Sequence, residues 1–222
     1  MAMSSLTRRL VLSAAAAGLF SFGAAAAVAG HDPAAETFIQ GLAEQAVTIL
    51  DNKQLTQSER EDEFSELVLA NTDIEAIGNF ALGVYRRSAT PAELAEYHDL
   101  FRRYSQMFYS TRLSRYSGER LYVTGSEPVT AKKKVKKEDE VVVMSELRLK
   151  DAPAPLPLNW RLERRDSGYI IMDLQALGAW LSLEQRSLFY SIISNNGGRV
   201  GALISKLRQK VANGEGPELP GD

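Results

Sequence analysis

The chain holds few side chains of the kinds that perform catalysis. Its histidines are His31 and His98, and it has no cysteine. The sequence also lacks a Gly-x-Ser-x-Gly nucleophile turn, a glycine-rich phosphate loop and a His-x-x-x-His metal pair. We therefore expect no catalytic residue, no metal site and no cofactor.

Asp173 is the carboxylate best placed for acid–base chemistry, because it interrupts the apolar run "YIIMDLQA" at 169–176. If its side chain points inward, it is either an acid whose pKa burial raises or the partner of an arginine. Arg86, Arg87 and Arg186 are the candidate partners. We favour the structural pair and keep, as the alternative, a small enzyme that uses Asp173 as acid or base on an apolar substrate.

The residues before Gly118 and after position 182 are predicted to form mainly helices. Apolar residues recur at three- and four-residue steps, which is typical of amphipathic helices. Thr56 with Glu59 predicts a capping box, and Thr90 before Pro91 predicts another helix start. About six helices are expected, at 33–52, after Thr56, at 73–87, 91–115, 183–194 and 199–211.

The predicted helix at 91–115 carries an unusual load of aromatic side chains. Tyr97, Phe101, Tyr104 and Phe108 share one of its faces at helical spacing. Such a stripe fits an ordinary core as well as the wall of an apolar pocket.

After Gly118 the period changes to the alternation that is typical of strands. The runs "ERLYVTGSEPVT", "DEVVVMSELRLK" and "LPLNWRLERRDSGYIIMDLQA" predict an antiparallel sheet of about four strands, with a hairpin turn at 166–168. Its apolar face needs a second layer, which the helices must supply. The expected fold class is therefore α+β, with about four strands and about six helices.

The first 29 residues have the anatomy of a secretory signal, with Arg8 and Arg9 before an apolar stretch and Ala27 to Ala29 as a cleavage site. The paired arginines also fit a twin-arginine signal, and both export routes remain open. Without cysteine there is no lipid-modified anchor. In an outer-membraned bacterium, this combination predicts a free periplasmic protein.

The remaining chain predicts one domain at 30–212 and a disordered tail at 213–222. Loss of the two leader arginines takes the net charge from −2 to −4, which argues against nucleic acid as a partner. The charge run "KKKVKKEDE" at 132–140 is either a solvated turn or a docking patch. We expect a monomer.

Two long stretches of the chain are "FALGVYRRSATPAELAEYHDLFRRYSQMFYSTRLSRYSGERLYV" and "LPLNWRLERRDSGYIIMDLQALGAWLSLEQRSLFYSIISNNGGRVGALISKLRQK". Both resemble the MlaC, or toluene-tolerance, family of periplasmic phospholipid-binding proteins. The resemblance implies a curved antiparallel sheet wrapped by helices around an apolar cavity that holds phospholipid acyl tails. It also implies a carrier, not an enzyme, that shuttles between an outer-membrane lipoprotein complex and an inner-membrane ABC transporter with an MCE subunit.

Two departures from the family pattern bear on the cargo. Tyr169 stands where the family usually has tryptophan, and Trp180 and Leu181 stand where smaller residues are common, so a hopanoid-type lipid joins diacyl phospholipid as candidate cargo. Tyr85, Arg86 and Arg186 are expected near the mouth of the cavity. The expected lipid-binding residues are Phe80, Val84, Tyr85, Phe101, Tyr104, Phe108, Val143, Leu147, Leu158, Trp160, Leu162, Ile171, Trp180 and Phe189.

Overall fold

The computed structural model describes residues 31–113, 118–129, 139–150 and 153–217. The expected export signal at 1–29, positions 132–138 of the charge run and positions 218–222 of the tail lie outside the described residues. In chain order the elements are α1 (Pro33–Leu50), α2 (Gln57–Ala70), α3 (Ile74–Leu82), a 3-10 helix (Gly83–Arg87), α4 (Pro91–Leu113), β1 (Arg120–Pro128), β2 (Glu140–Arg148), β3 (Leu156–Arg165), β4 (Gly168–Ala176), β5 (Ala179–Trp180), α5 (Leu181–Ser194) and α6 (Val200–Ala212).

Helices α1, α2 and α3 begin at residues whose side chains cap them. The Thr56 hydroxyl accepts from the N–H of Glu59, whose carboxylate accepts from the N–H of Thr56, so the predicted capping box is confirmed. Asp32 caps α1 in the same way, by accepting from the N–H of Ala35. Such caps satisfy N–H groups that have no partner inside the helix.

The prediction of one helix up to position 87 is wrong, because α3 ends at Leu82 and a 3-10 helix follows. Gly83 turns the backbone with a φ of 54°, a conformation that favours glycine. The Tyr190 ring packs directly on this turn, and its hydroxyl accepts from the N–H of Val84 at 2.9 Å. The chain therefore changes direction here to meet α5.

The strands form one antiparallel sheet in the order β1-β2-β3-β4-β5, which confirms the α+β class. The predicted hairpin turn is present, since Arg165 pairs with Gly168. The additional strand β5 has two residues, and it forms because a tight turn at 177–178 folds the chain back onto Gln175 and Ala176.

A β-bulge in β4 lets some side chains of this strand line the cavity while Asp173 contacts α5. Arg161 faces Asp173 and Leu162 faces Ile171, so Met172 is an extra residue on β4. The bulge shifts the alternation of side chains along the strand. Ile171 and Leu174 consequently line the same cavity, while Asp173 reaches towards α5.

Three residues of the aromatic stripe of α4, Tyr97, Phe101 and Tyr104, pack among helices, whereas Phe108 lines a cavity over the sheet. Tyr97 and Phe101 lie edge-to-face with Phe189 of α5, at 6.2 and 6.0 Å between ring centroids. The Tyr97 hydroxyl donates to the carbonyl of Gly78 in α3 at 2.8 Å. The buried helical cluster comprises Ala81, Leu82, Tyr97, Leu100, Phe101, Tyr104, Phe189, Ile193, Val200, Leu203, Ile204, Leu207 and Val211.

A second buried cluster joins α1 to the sheet, and it comprises Ala35, Ile39, Val141, Val143, Leu162 and Ile171. Helix α1 therefore packs on part of the apolar face of the sheet. Within the described residues, no helix combines the length and the apolar character needed to cross a membrane.

The start of the predicted disordered tail is packed against the domain. The N–H of Glu215 donates to the carbonyl of Lys210 at 2.8 Å. Gly216 lies so close to α4 that a Cβ there would approach the Met107 carbonyl carbon to 2.6 Å. Residues 213–217 therefore continue the fold beyond α6.

Candidate functional site

A cavity of about 450 Å³ lies between the apolar face of the sheet and helices α1 and α2. Its volume falls within the range of about 300–1,000 Å³ that is usual for small-molecule sites. The lining residues are Ile39, Leu42, Ala43, Ala46, Val47, Leu50, Phe64, Leu67, Val68, Phe108, Glu119, Leu121, Leu147, Leu149, Leu156, Leu158, Trp160, Ile171, Leu174 and Ala176.

The floor of the cavity consists of alternate residues from adjacent strands. Leu147 pairs with Leu156, and Leu158 pairs with Ala176, so their side chains lie beside one another on one face. The ring of Trp160 extends this floor and is fixed by a hydrogen bond. Its indole N–H donates to the hydroxyl of Ser145 at 2.9 Å, and that hydroxyl donates to the carbonyl of Leu158 at 2.9 Å.

The opposite wall belongs to α1 and α2, which sequence reasoning did not assign to the site. In α1 the lining residues recur at three- and four-residue steps, from Ile39 through Ala43 to Leu50. In α2, Phe64, Leu67 and Val68 repeat the pattern. The sequence shows both stripes as the three- and four-residue spacing of an amphipathic helix. The small side chains of Ala43 and Ala46 leave room for the cavity between α1 and the sheet.

The chemistry of the lining is that of alkyl and aromatic groups. Glu119 is the charged residue among the described lining residues. Each CH₂ group that moves from water into such surroundings contributes roughly 0.8 kcal/mol. The cavity is therefore suited to long alkyl chains, whose affinity comes from burial.

Among the fourteen residues expected to bind lipid, those that line the cavity are Phe108, Leu147, Leu158, Trp160 and Ile171. Phe101, Tyr104 and Phe189 lie in the buried helical cluster, because the part of α4 that carries Phe101 and Tyr104 packs on α5 and α6. Val143 and Leu162 lie in the cluster under α1. These buried positions stabilise the walls and do not face the cavity.

The remaining expected residues are not among those that line the cavity, and Phe80, Val84 and Tyr85 lie near the α3–α5 contact. Phe80 and Val84 are exposed, at 40% and 59%, and the Arg186 guanidinium stacks over the Phe80 ring at 4.9 Å. Tyr85 packs edge-to-face on Tyr190, with 5.0 Å between ring centroids. Trp180 is half-buried at the start of α5. Tyr85, Arg86 and Arg186 are not among the residues that line this cavity.

Asp173 is buried, but it does not line the cavity. It accepts hydrogen bonds from the N–H of Leu174 and from both the N–H and the hydroxyl of Ser182. Burial raises the pKa of Asp173 above its usual value, against the opposing effect of these bonds. The expected pairing with Arg86, Arg87 or Arg186 is wrong.

Arg161, the arginine directly opposite Asp173 in the sheet, forms an ion pair with Glu140 instead. Arg161 faces Asp173 across β3 and β4, yet its guanidinium bonds to Glu140 at 2.5 and 2.7 Å.

Throughout the described parts of the chain, no group of three or more His, Asp or Glu side chains could hold a metal ion.

An antiparallel sheet that carries an apolar cavity under two amphipathic helices defines a class of small-ligand-binding α+β proteins. The family model described as "MlaC protein" matches residues 40–209, and the chain belongs to this family. A solved structure with the same fold is the phospholipid-binding protein from Ralstonia solanacearum in complex with a phospholipid. The two share 21% identity and superpose with a TM-score of 0.67, over 81% of this chain and 98% of the Ralstonia chain.

Proposed function

We propose that this protein is a periplasmic lipid carrier that binds the acyl chains of a phospholipid in the apolar cavity. The observation that carries the proposal is the cavity itself, whose walls offer alkyl and aromatic surface and almost no polar groups. Membership of the MlaC family and the phospholipid held by the Ralstonia protein of the same fold support it.

The carrier exchanges lipid between an inner-membrane complex of an ABC transporter with an MCE subunit and an outer-membrane lipoprotein complex. The secretory signal predicted at 1–29 supports a periplasmic location, and family membership supports these partners. A monomer suffices, because residues of a single chain line the cavity. A hopanoid-type lipid would suit the same apolar lining as a diacyl phospholipid.

An enzyme that uses Asp173 is the weaker candidate. The carboxylate is occupied by Ser182 and Leu174 and does not face the cavity, so a substrate bound there would not reach it. A general acid or base must lie within hydrogen-bonding distance of the group that it serves. No observation favours a second function.

The test is to export the full chain in an outer-membraned bacterium, purify it from the periplasm and extract it with organic solvent. Mass spectrometry of the extract is expected to find about one lipid per protein molecule, and its identity separates phospholipid from hopanoid-type cargo. Uptake of labelled phospholipid from vesicles gives an independent reading. A protein that yields no lipid and takes up none contradicts the proposal.

A further inference from the structure

The contact between α3, the 3-10 helix and α5 leaves three large apolar side chains on the surface. Phe80 and Val84 are 40% and 59% exposed, and Leu183 is 50% exposed. Leu183 precedes Arg186 by three residues on α5, so these two side chains lie on the same face of that helix. We call this surface the α3–α5 patch, and it comprises Phe80, Val84, Arg86, Arg87, Leu183 and Arg186.

Contacts to Tyr190 hold the α3–α5 patch together. The Tyr190 hydroxyl accepts from the N–H of Val84 at 2.9 Å and from the guanidinium of Arg186 at 3.1 Å. The same guanidinium stacks over the rings of Phe80 and Tyr190, at 4.9 and 5.0 Å. The Phe80 ring and the Val84 backbone are therefore held in place beside Arg186, which lowers the entropy that binding through this surface must cost.

The charged side chains of the patch are all arginines. Arg86 and Arg87 are exposed on the 3-10 helix, and among the described residues neither of them has an ion-pair partner. The Glu93 carboxylate at the start of α4 is already used, because it accepts from the N–H and the hydroxyl of Thr90. Arg86 and Arg87 are therefore available to an anion outside the chain.

The acidic residues of α3 and α5 nearest to the patch lie on other faces of their helices. Glu75 lies about 140° around α3 from Phe80, and Glu184 lies about 160° around α5 from Arg186. The surface around the three exposed apolar side chains consequently presents positive charge.

The size of the patch decides between a protein and a bilayer as its occupant. A stable protein interface buries about 800 Å² on each partner and uses about 20–30 residues a side. Three apolar side chains and three arginines are too few for that. A bilayer requires no matching shape, and a small apolar surface with positive charges attaches a protein reversibly to anionic lipid.

We propose that the α3–α5 patch attaches the protein reversibly to a membrane surface that carries anionic phospholipid. Phe80, Val84 and Leu183 enter the headgroup region, and the arginines contact lipid phosphates, whose oxygens match a guanidinium in geometry and charge. The attachment is independent of the cargo, because none of the patch residues is among those that line the cavity. It goes beyond the proposed carrier function and does not rest on it.

The test is sedimentation with vesicles of the protein purified from the periplasm after export of the full chain. The protein is expected to sediment with vesicles of phosphatidylglycerol in phosphatidylcholine and to stay in solution with phosphatidylcholine alone. Attachment should weaken several-fold between about 0.1 M and 1 M salt, because the Debye length falls from about 10 to 3 Å.

Charge variants test the role of the arginines. Arg86→Gln/Arg87→Gln is expected to lower the vesicle-bound fraction about tenfold or more at low salt, since each cation near an anionic surface contributes about fivefold. The control is Arg102→Gln/Lys53→Gln, which removes two exposed positive charges from α4 and from the α1–α2 turn. It has the same net charge and is expected to sediment like the unchanged protein.

Apolar variants test the contact with the headgroup region. Val84→Ser is expected to lower the vesicle-bound fraction several-fold, because it removes apolar surface from the membrane contact. The control is Leu188→Ser, at an exposed position about 160° around α5 from Arg186, and it should sediment like the unchanged protein. Melting temperatures measured alongside confirm that both variants are folded.

Two outcomes would overturn the inference. If Arg86→Gln/Arg87→Gln sediments with phosphatidylglycerol vesicles as well as its control does, the arginines do not face lipid, and an acidic protein surface becomes their occupant. If Ala46→Trp, which places a ring in the cavity, abolishes sedimentation, the protein is attached through its cargo and not through the patch.

The outcomes for the two proposals are distinct. A protein that yields lipid on extraction but does not sediment with anionic vesicles contradicts only the attachment. A protein that sediments through the patch but yields and takes up no lipid supports the attachment and contradicts the carrier function.

Discussion

Ser182 donates two hydrogen bonds to Asp173, one from its N–H at 3.1 Å and one from its hydroxyl at 2.5 Å. The two residues belong to different elements, β4 and the first turn of α5. The helix has no side-chain cap of its own at Trp180, so Asp173 supplies the acceptor from the neighbouring strand. A carboxylate that looked like a candidate acid in the sequence thus fixes the start of a helix.

Replacing Ser182 by alanine should test this structural role. The variant leaves a buried carboxyl group short of one donor, and we expect the free energy of unfolding to fall by about 1–3 kcal/mol. Ser187→Ala, on the exposed side of the same helix, is expected to change it by less than about 0.5 kcal/mol. Equal unfolding curves in urea for the two variants would contradict the assignment.

Two glycines of the helical region should respond to alanine with opposite signs. Gly83 has a φ of 54°, and a Cβ there would lie 2.0 Å from the Tyr190 hydroxyl, so Gly83→Ala should lower stability by about 2 kcal/mol or more. Gly41 lies inside α1 with nothing within 4 Å of an added Cβ. Gly41→Ala should raise stability by about 0.5–1 kcal/mol, because alanine favours the helix. Thermal unfolding measures both changes.

Asp32 gives the fold a defined dependence on pH. Burial raises its pKa, but hydrogen bonds from Tyr169 and Ala35 and the charge of Arg164 outweigh this effect and hold the pKa below the ordinary 3.8. A carboxyl with a lowered folded-state pKa stabilises the protein above pH 3.8 or so, and this contribution disappears as the pH falls through the folded-state value.

We therefore expect Asp32→Ala to lower the free energy of unfolding at pH 7 by about 1 kcal/mol, through loss of the α1 cap and its partners. The difference from the unchanged protein should shrink below pH 3.8 or so. Asp62→Ala, an exposed position on α2, serves as the control and should show no such pH-dependent loss. A deficit of Asp32→Ala that stays constant down to acid pH would argue against this account.

Leu177 occupies a turn position that leucine rarely adopts. It has a φ of 53°, is followed by Gly178 with a φ of 81°, and joins the paired residues Ala176 and Ala179. Two-residue hairpins of this kind favour asparagine at the first position. Leu177→Asn should therefore raise stability by about 1 kcal/mol. Leu188→Asn, a similarly exposed leucine in α5, should instead lower it by about 0.5 kcal/mol, and melting temperatures distinguish the two signs.

The helices and strands could be predicted because their signals are local. The capping box at Thr56 and the alternation in β3 depend on residues that are neighbours in the chain. The aromatic stripe of α4 was equally visible, but its partner was not. Whether Phe101 faces a sheet or Phe189 of another helix depends on distant pairings that periodicity does not encode.

The bulge at Met172 could not be predicted from the sequence either. Strict alternation places Asp173 on the same face as Ile171, and one extra residue reverses that assignment. A single sequence offers no local signal for such an insertion in an apolar run. The cavity floor could therefore be predicted up to Trp160, whereas the exclusion of Asp173 from the site required the strand register.

Filling the cavity should separate ligand binding from folding. Ala46 lines the cavity from α1, so Ala46→Trp places a large apolar ring in the space proposed for acyl chains. We expect lipid per protein, counted by mass spectrometry, to fall several-fold while the melting temperature is kept or raised, because the ring buries apolar surface without displacing packed atoms. Ala95→Trp, on the exposed side of α4, should carry as much lipid as the unchanged protein. Undiminished lipid in Ala46→Trp would place the acyl chains elsewhere.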